Sequence, residues 1–206
     1  MFSLQVQKAS KRFHREWIFK NLDLELSAGD ALAITGGNGS GKSTLLKCLS
    51  GAIPLTQGSI EYRMGTTLIA EESWFRSLAI ATPYLELPEE FTLSEALSFH
   101  FQFKKPLNQL RTQEILAILG LEKHQSKSIS QFSSGMKQRV KLALAIFSEV
   151  PLLFLDEPTT NLDKQGVSWY LELVQQYTQD RILVICSNEP REYEFCGKKI
   201  NLEDFK

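Results

Sequence analysis

Short apolar segments alternate with polar turns along the first third of the chain. Residues 2–6, 22–26 and 31–35 have the length and the pattern of strands. The last of them is almost continuously apolar, which is typical of a central parallel strand covered on both faces. Between residues 42 and 50 the leucines recur at helical spacing and Gly51 follows as a stop, so this segment is predicted to be a helix.

The middle of the chain has a helical pattern. Helices are predicted at 94–103, at 112–119 and from Ser133 onward through Phe147. The other predicted elements are strand-like segments after the first helix that end at 78–81, strands at 152–155, 182–186 and 199–202, and a helix at 166–177. This order predicts one domain over 1–206, with an α/β core formed by 1–83 and 151–206 and a helical insertion at 84–150.

The composition is that of an ordinary globular protein. Hydrophobic residues make up 43% of the chain and charged residues 23%. With 23 basic and 24 acidic residues the net charge is −1, which implies no general attraction to nucleic acid or anionic lipid. Three scattered cysteines fit reduced thiols and neither a disulfide framework nor a zinc cluster. The amino terminus has no apolar signal core, and the longest mainly apolar stretch, 142–154, is too short to span a bilayer.

A glycine-rich segment lies between the third predicted strand and the first predicted helix. Gly36-Gly37-Asn38-Gly39-Ser40-Gly41-Lys42-Ser43 fits the pattern G-x-x-x-x-G-K-[ST] in the context that this pattern requires. The glycines let consecutive backbone N–H groups point inward at phosphate oxygens, and the new helix adds its positive end. Lys42 is predicted to contact the β- and γ-phosphates and Ser43 to offer its hydroxyl to Mg²⁺. The alternative is a glycine-rich turn with a chance lysine.

Two carboxylates end the predicted strand at 152–155. Because the carboxyl ends of buried parallel strands face the ligand crevice, Asp156 is predicted to hold Mg²⁺ through its water shell. Glu157 is predicted to orient or deprotonate the attacking water. The alternative is a strand that ends at the surface with solvated acids.

Two further segments narrow the class of nucleotide-binding protein. Phe132-Ser133-Ser134-Gly135-Met136-Lys137-Gln138-Arg139-Val140 lies just upstream of Asp156, and Pro158-Thr159-Thr160-Asn161-Leu162-Asp163 follows Glu157. With the glycine-rich segment, they resemble the ATP-binding subunits of ABC transporters over essentially the whole chain. The resemblance implies a P-loop NTPase core with a parallel sheet, an antiparallel β subdomain in the N-terminal part and an inserted helical subdomain.

The resemblance also assigns roles to residues outside the phosphate loop. Ser133 and Gly135 match the family's signature, which contacts the γ-phosphate of ATP bound by the other subunit of a head-to-tail dimer. Residues 161–163 resemble the D-loop at that dimer interface; without the family match they would be only a helix N-cap. Thr44 extends the nucleotide-binding segment, and Phe13 takes the place of the adenine-stacking aromatic residue, with Trp17 as a rival.

The chain departs from the family's pattern at two catalytic positions. Tyr84 stands where the family has the Q-loop glutamine, and Asn188 stands where it has the switch histidine. Asparagine can donate a hydrogen bond to a γ-phosphate oxygen but cannot carry a proton. The expectation is ordinary ATP binding with weakened or altered Mg²⁺-dependent hydrolysis, and Glu157 argues that hydrolysis is retained.

The resemblance implies the ATP-hydrolysing subunit of a membrane transporter. Its implied partners are a separate membrane permease and a second ATP-binding subunit, either the same chain or a close paralogue, on the cytoplasmic face of the cell membrane. The short chain is similar to the heme-exporter ATP-binding subunits of cytochrome c biogenesis. The alternatives are a soluble ABC-type ATPase outside transport and a kinase of a small substrate; no nucleic-acid partner is expected. In this family the permease selects the transported substrate, so the identity of the substrate does not follow from this sequence.

Overall fold

The computed structural model describes all residues, Met1–Lys206. It contains nine strands, six α-helices and several short 3₁₀ segments. The strands are β1 (Phe2–Phe13), β2 (Glu16–Ser27), β3 (Ala31–Thr35), β4 (Gln57–Met64), β5 (Thr67–Ile69), β6 (Leu78–Ala81), β7 (Leu152–Asp156), β8 (Ile182–Cys186) and β9 (Lys198–Asn201). The α-helices are α1 (Lys42–Leu49), α2 (Trp74–Ser77), α3 (Leu93–Phe103), α4 (Thr112–Leu119), α5 (Ser134–Ile146) and α6 (Lys164–Tyr177).

The strands form two sheets. The antiparallel sheet has the order β2-β1-β4-β5, and the other sheet has the order β6-β7-β8-β3-β9 with every neighbouring pair parallel. The strand β7 separates two apolar cores, one on each of its faces. Leu152 and Phe154 pack into the core shared with β1, β2 and α1, whereas Leu153 and Leu155 pack into the core shared with α3 to α6. Both faces of β7 are therefore apolar, as its continuous apolar run predicted.

The helices of the middle segment are anchored to the second of these cores. Leu97 of α3 and Ile115 and Leu116 of α4 are fully buried in it. The indole N–H of Trp169 on α6 donates to the carbonyl oxygen of Ile118 on α4 over 2.8 Å, which fastens α4 to the core. No helix combines the length and the apolar character that crossing a membrane would require.

The N-terminal hairpin is longer than the pattern predicted. Strands β1 and β2 have 12 residues each, where the sequence predicted two five-residue strands. Ser10 and Lys11 are buried polar residues, and register shifts occur from Val6 to Arg12, so the alternation of apolar and polar positions is lost there. Bulges preserve the pairing while they break the sequence pattern.

The parallel strand order brings several loops to one edge. The residues that follow the carboxyl ends of β3, β6, β7 and β8 are Gly36, Thr82, Glu157 and Ser187. The β8 strand lies between β3 and β7, so the loop after β8 faces the phosphate loop on one side and the acidic loop on the other. In open parallel sheets, ligands bind at the edge formed by the carboxyl ends of the strands.

Candidate nucleotide-binding site

The phosphate loop connects β3 to α1 and requires glycine at its last position before the lysine. Gly41 is the N-cap of α1 with φ of 106°, a value that L side chains rarely adopt. A Cβ atom at this position would lie 2.2 Å from Cγ2 of Ile18 on β2. The Lys42 ammonium is almost buried and donates to the carbonyl oxygens of Gly36 at 2.6 Å and Gly37 at 3.3 Å. The lysine is thus held across the mouth of the loop, where a phosphate could take over its hydrogen bonds.

The metal end of the site joins α1 to β7. The Ser43 hydroxyl donates to Oδ2 of Asp156 over 2.8 Å, and Asp156 is only 3% exposed. Burial raises the pKa of the Asp156 carboxyl; the hydrogen bond from Ser43 opposes this and the adjacent Glu157 charge adds to it. No cluster of three or more His, Cys, Asp or Glu residues could hold a metal ion. A hydroxyl that can bind Mg²⁺ directly, beside a carboxylate that can bind its water shell, fits Mg²⁺ that takes its other ligands from phosphates and water.

A polar cavity of about 440 Å³ lies beside the phosphate loop. Asn38, Glu157 and Asn188 line it together, so three predicted site residues from three loops meet there. The side-chain nitrogen of Asn188 donates to the side-chain oxygen of Asn38 over 3.2 Å. The backbone N–H of Glu157 donates to the carbonyl oxygen of Cys186, the last residue of β8, over 2.8 Å. This cavity has the groups that a water and a γ-phosphate would need.

A separate cavity of about 470 Å³ contains the predicted signature residues. Ser133 is the N-cap of α5, and its hydroxyl accepts a hydrogen bond from the backbone N–H of Met136 over 3.3 Å. A Cβ atom at Gly135 would lie 2.9 Å from the carbonyl oxygen of Asn161, so only glycine allows this approach. Asn161 and Leu162 line both cavities. The predicted D-loop therefore lies between the cavity of the predicted signature residues and the cavity that Glu157 lines in the same chain.

The two aromatic candidates for adenine stacking lie on the first hairpin. Phe13 ends β1 with 46% of its surface exposed, and the Lys11 ammonium lies 4.9 Å from its ring centroid. Trp17 pairs with Arg12 across the hairpin, and the Arg12 guanidinium lies over its ring at 5.1 Å. Trp17 precedes Ile18, the residue that contacts Gly41, so the backbone of β2 at Trp17 passes close to the phosphate loop.

The segment after β6 offers a residue that the sequence analysis missed. Ala81 pairs with Leu155, so Thr82 follows at the level of Asp156. Tyr84, the predicted stand-in for glutamine, is 83% exposed. Both Thr82 and Tyr84 line a mainly apolar cavity of about 340 Å³ that also reaches Ser43 and Asp156. The position of Thr82 beside Asp156 follows from the register of β6 on β7, which the sequence alone does not show.

Two carboxylates near the site were also missed. Oε1 of Glu203, in the short 3₁₀ segment Leu202–Phe205, accepts a hydrogen bond from the backbone N–H of Gly37 over 2.9 Å. Oε1 of Glu192 accepts one from the backbone N–H of Thr159 over 2.9 Å. Both pairs are far apart in sequence, and no motif links their members.

Comparison with known proteins identifies the family. The family model described as ABC transporter matches residues 19–160. The chain belongs to the ABC transporter family. It is 30% identical to the ABC transporter ATP-binding protein YybJ of Bacillus subtilis over 189 residues, which cover 92% of this chain and 86% of YybJ. It is 32% identical to the cytochrome c biogenesis ATP-binding export protein CcmA of Vibrio cholerae over 169 residues, 82% of each chain.

A solved structure agrees with the fold. The ATP-binding cassette MJ0796, solved as a dimer in a post-hydrolysis state with ADP and Pi, superposes with a TM-score of 0.80 over 96% of this chain and 93% of that chain, at 20% identity. The predicted fold class, with a parallel core sheet, an antiparallel β part and inserted helices, is confirmed. As an ATP-binding protein of the ABC transporter family, the chain binds ATP and hydrolyses it in the service of transport.

Proposed function

We propose that two copies of this chain, or one copy and a close paralogue, pair head to tail around ATP and drive a separate membrane permease. The observation that carries the proposal is the division of the ATP site into two cavities within one chain. The phosphate loop and Glu157 border one cavity, Ser133 and Gly135 border the other, and the D-loop separates them. The signature of one subunit can complete the site of a second subunit more readily than its own.

Each residue of the site has a chemical task in this proposal. Lys42 and the free backbone N–H groups of the phosphate loop bind the phosphates, and Phe13 stacks on the adenine. Ser43 and Asp156 would hold Mg²⁺, which neutralises charge on the phosphate oxygens when it is bound. Glu157 orients the attacking water and accepts its proton.

The switch position works without an ionisable group in this proposal. The Asn188 amide donates a hydrogen bond to the γ-phosphate from the position where the family has histidine. An amide adds neither positive charge nor a proton shuttle, so we expect slower hydrolysis than a histidine would support.

An exposed aromatic surface supports a membrane-protein partner at the helical side. Phe75 is 60% exposed and Phe103 is 74% exposed, and Phe91, Phe99 and Phe103 form a row of edge-to-face contacts at 5.4 and 5.2 Å. The apolar cavity beside this surface extends from Phe75 and Tyr84 to Ser43 and Asp156. An apolar element of the permease seated there would lie next to the metal end of the ATP site.

Docking of the permease on this surface also bears on the division of the chain into a helical arm and a core, and on its location in the cell. We propose that residues 84–150 act as one arm that follows the state of the γ-phosphate, attached to a core of 1–83 and 151–206. Lys141 on α5 donates to the carbonyl oxygen of Pro83 over 2.9 Å, and Lys137 forms an ion pair with Glu89, so α5 is tied to the start of the arm. Docking on the permease would place the chain on the cytoplasmic face of the membrane.

The experiment is ATP-dependent pairing of a variant that cannot complete hydrolysis. Glu157→Gln keeps the size of the side chain and removes the base, so ATP with Mg²⁺ should raise the mass measured by light scattering from 23.4 kDa towards twice that value. Glu157→Gln combined with Lys42→Ala is the control that should stay monomeric. A Glu157→Gln protein that has bound ATP and remains a monomer at high concentration contradicts the head-to-tail proposal.

A further inference from the structure

A buried carboxylate is among the residues that line the cavity of Glu157 and Asn188. Glu192 is 2% exposed, and its Oε1 atom accepts hydrogen bonds from both the backbone N–H and the hydroxyl of Thr159. Oε2 of Glu192 is buried with no hydrogen-bond partner. The carbonyl oxygen of Glu192 accepts a hydrogen bond from the Tyr170 hydroxyl over 3.2 Å, which fixes its backbone to α6. Burying a carboxylate costs stability, so this contact needs an explanation other than filling space.

Thr159 occupies the turn between the catalytic glutamate and the D-loop. It follows Glu157 by two residues, and its carbonyl oxygen accepts the N–H of Leu162 in the D-loop over 3.0 Å. The carbonyl oxygen of Pro158 accepts from the buried side chain of Gln138, on the helix that begins with the signature, over 2.8 Å. Contacts that hold Thr159 in place therefore also hold Glu157 on one side of this turn and the D-loop on the other.

Glu157 needs such support because its backbone is strained. Its φ is 44°, in the left-handed region that residues with a Cβ atom avoid. Strained backbones at functional sites persist only where the surrounding contacts over-determine them. The hydrogen bond from the Glu157 N–H to Cys186 holds one side of the turn, and the two bonds between Thr159 and Glu192 hold the other.

The same contacts close a ring between two loops. Glu192 lies four residues after Asn188 in the loop that follows β8, and Thr159 lies in the loop that follows β7. Starting at Cys186, the ring runs along the chain through Asn188 to Glu192, crosses to Thr159 and returns through Glu157 to Cys186. Both loops line the catalytic cavity. A shift of either loop is therefore transmitted to the other.

We infer that Glu192 is a positioning residue, which holds the strained Glu157 turn in place for attack on the γ-phosphate and joins the Asn188 loop to the D-loop. The inference rests on the proposed function, because it assumes that Glu157 serves ATP hydrolysis. Glu192 does not touch the phosphate loop's lysine, so it acts on turnover and on the D-loop rather than on ATP affinity.

The test separates turnover from ATP binding in four variants. Glu192→Ala removes both hydrogen bonds, and since small misplacements of catalytic groups cost up to about 100-fold, kcat should fall by roughly 10-fold or more with the Kd for ATP unchanged. Thr159→Val removes only the hydroxyl donor and should lower kcat by a smaller factor. Glu192→Gln keeps an acceptor oxygen and should retain about half of the wild-type kcat or more. Val6→Ala makes a cavity in β1 of the antiparallel sheet, away from both loops, and should lower the melting temperature and leave kcat intact.

The ATPase rates of these variants can contradict the positioning role of Glu192 in two ways. If Glu192→Ala and Thr159→Val hydrolyse ATP at the wild-type rate, the inference is wrong. It is also wrong if Val6→Ala loses as much kcat as Glu192→Ala at an equal loss of melting temperature, because the effect would then be general destabilisation. Should Glu192→Ala fail to fold, Thr159→Val and Glu192→Gln still decide, since both keep the turn packed. A wild-type protein that neither binds nor hydrolyses ATP would instead overturn the proposed function.

Discussion

The side-chain nitrogen of Asn188 donates a hydrogen bond to the side-chain oxygen of Asn38 over 3.2 Å. This contact joins the loop after β8 to the phosphate loop across 150 residues of sequence, at the rim of the cavity that Glu157 also lines. Both partners are neutral amides, so the contact does not depend on pH in the physiological range. It places the Asn188 amide where a γ-phosphate oxygen could replace Asn38 as its acceptor.

Restoring an ionisable group at this position should raise turnover. We expect Asn188→His to increase the steady-state ATPase rate several-fold, because an imidazole can add charge and move a proton where acid–base help is worth about 10²–10⁴-fold at best. Asn188→Ala should lower the rate, since the hydrogen bond is lost. ATP affinity should hardly change in either variant. An Asn188→Ala protein as fast as the wild type would show that Asn188 does not reach the γ-phosphate.

The lysine of the phosphate loop should account for most of the stabilisation by nucleotide. ATP with Mg²⁺ at about a hundredfold excess over Kd should add about 2.7 kcal/mol to the free energy of unfolding, or about 5–10 °C in melting temperature. Lys42→Ala should remove this shift, since Lys42 holds the mouth of the loop. Differential scanning fluorimetry measures both proteins side by side. A wild-type melting temperature that ATP leaves unchanged argues against a phosphate site.

The two glycines of the loop should differ in their tolerance of alanine. Gly41→Ala combines a strained φ with a clash against Ile18 and should cost about 2–3 kcal/mol of stability. Gly39→Ala, also at a positive φ but with no neighbouring atom within 4 Å, should cost only about 1 kcal/mol. Ile18→Ala should partly rescue Gly41→Ala. Urea denaturation without nucleotide measures all four proteins, and equal costs for the two glycines would refute the steric argument.

The metal end of the site should be tested by the extra stabilisation that Mg²⁺ adds to ATP. We expect Ser43→Ala and Asp156→Asn each to lose most of the difference between ATP with Mg²⁺ and ATP with EDTA, because the first removes a hydroxyl oxygen and the second removes the negative charge and one carboxylate oxygen. Asp163→Asn is the matched control: it keeps the oxygen that caps α6 and lies in the D-loop, so it should keep the Mg²⁺ effect. Equal losses in Asp156→Asn and Asp163→Asn would speak against a metal site at Ser43 and Asp156.

Elements whose pattern and packing agree were predictable from the sequence. The strands Ala31–Thr35 and Ile182–Cys186 and the helix Thr112–Leu119 have the predicted bounds, because each is a short apolar or amphipathic segment between clear stops. The first hairpin was not predictable in length, since bulges around Ser10 and Lys11 break its alternation. Those bulges are set by pairing with a distant strand as well as with the neighbouring one.

The residues of the candidate site also fall into two groups, those that the sequence predicts and those that only the structure shows. Lys42, Ser43 and Asp156 could be proposed from the sequence because they lie on continuous motifs, and the structure brings Ser43 and Asp156 into contact. Thr82 became visible only through the register of β6 on β7, and Glu192 only through a hydrogen bond that spans 33 residues. Contacts of this kind depend on which loops meet, which local pattern does not encode.

The most direct test of head-to-tail pairing is an ATPase assay on a mixture of two inactive variants. Lys42→Ala has no working phosphate loop but an intact signature, and Ser133→Arg blocks the signature but keeps the phosphate loop. Head-to-tail pairing predicts that each is inactive alone and that an equal mixture recovers roughly a quarter of the wild-type rate, because only mixed pairs contain one intact composite site. A mixture as inactive as its components, with ATP bound to Ser133→Arg and the subunits shown to pair, would contradict head-to-tail pairing.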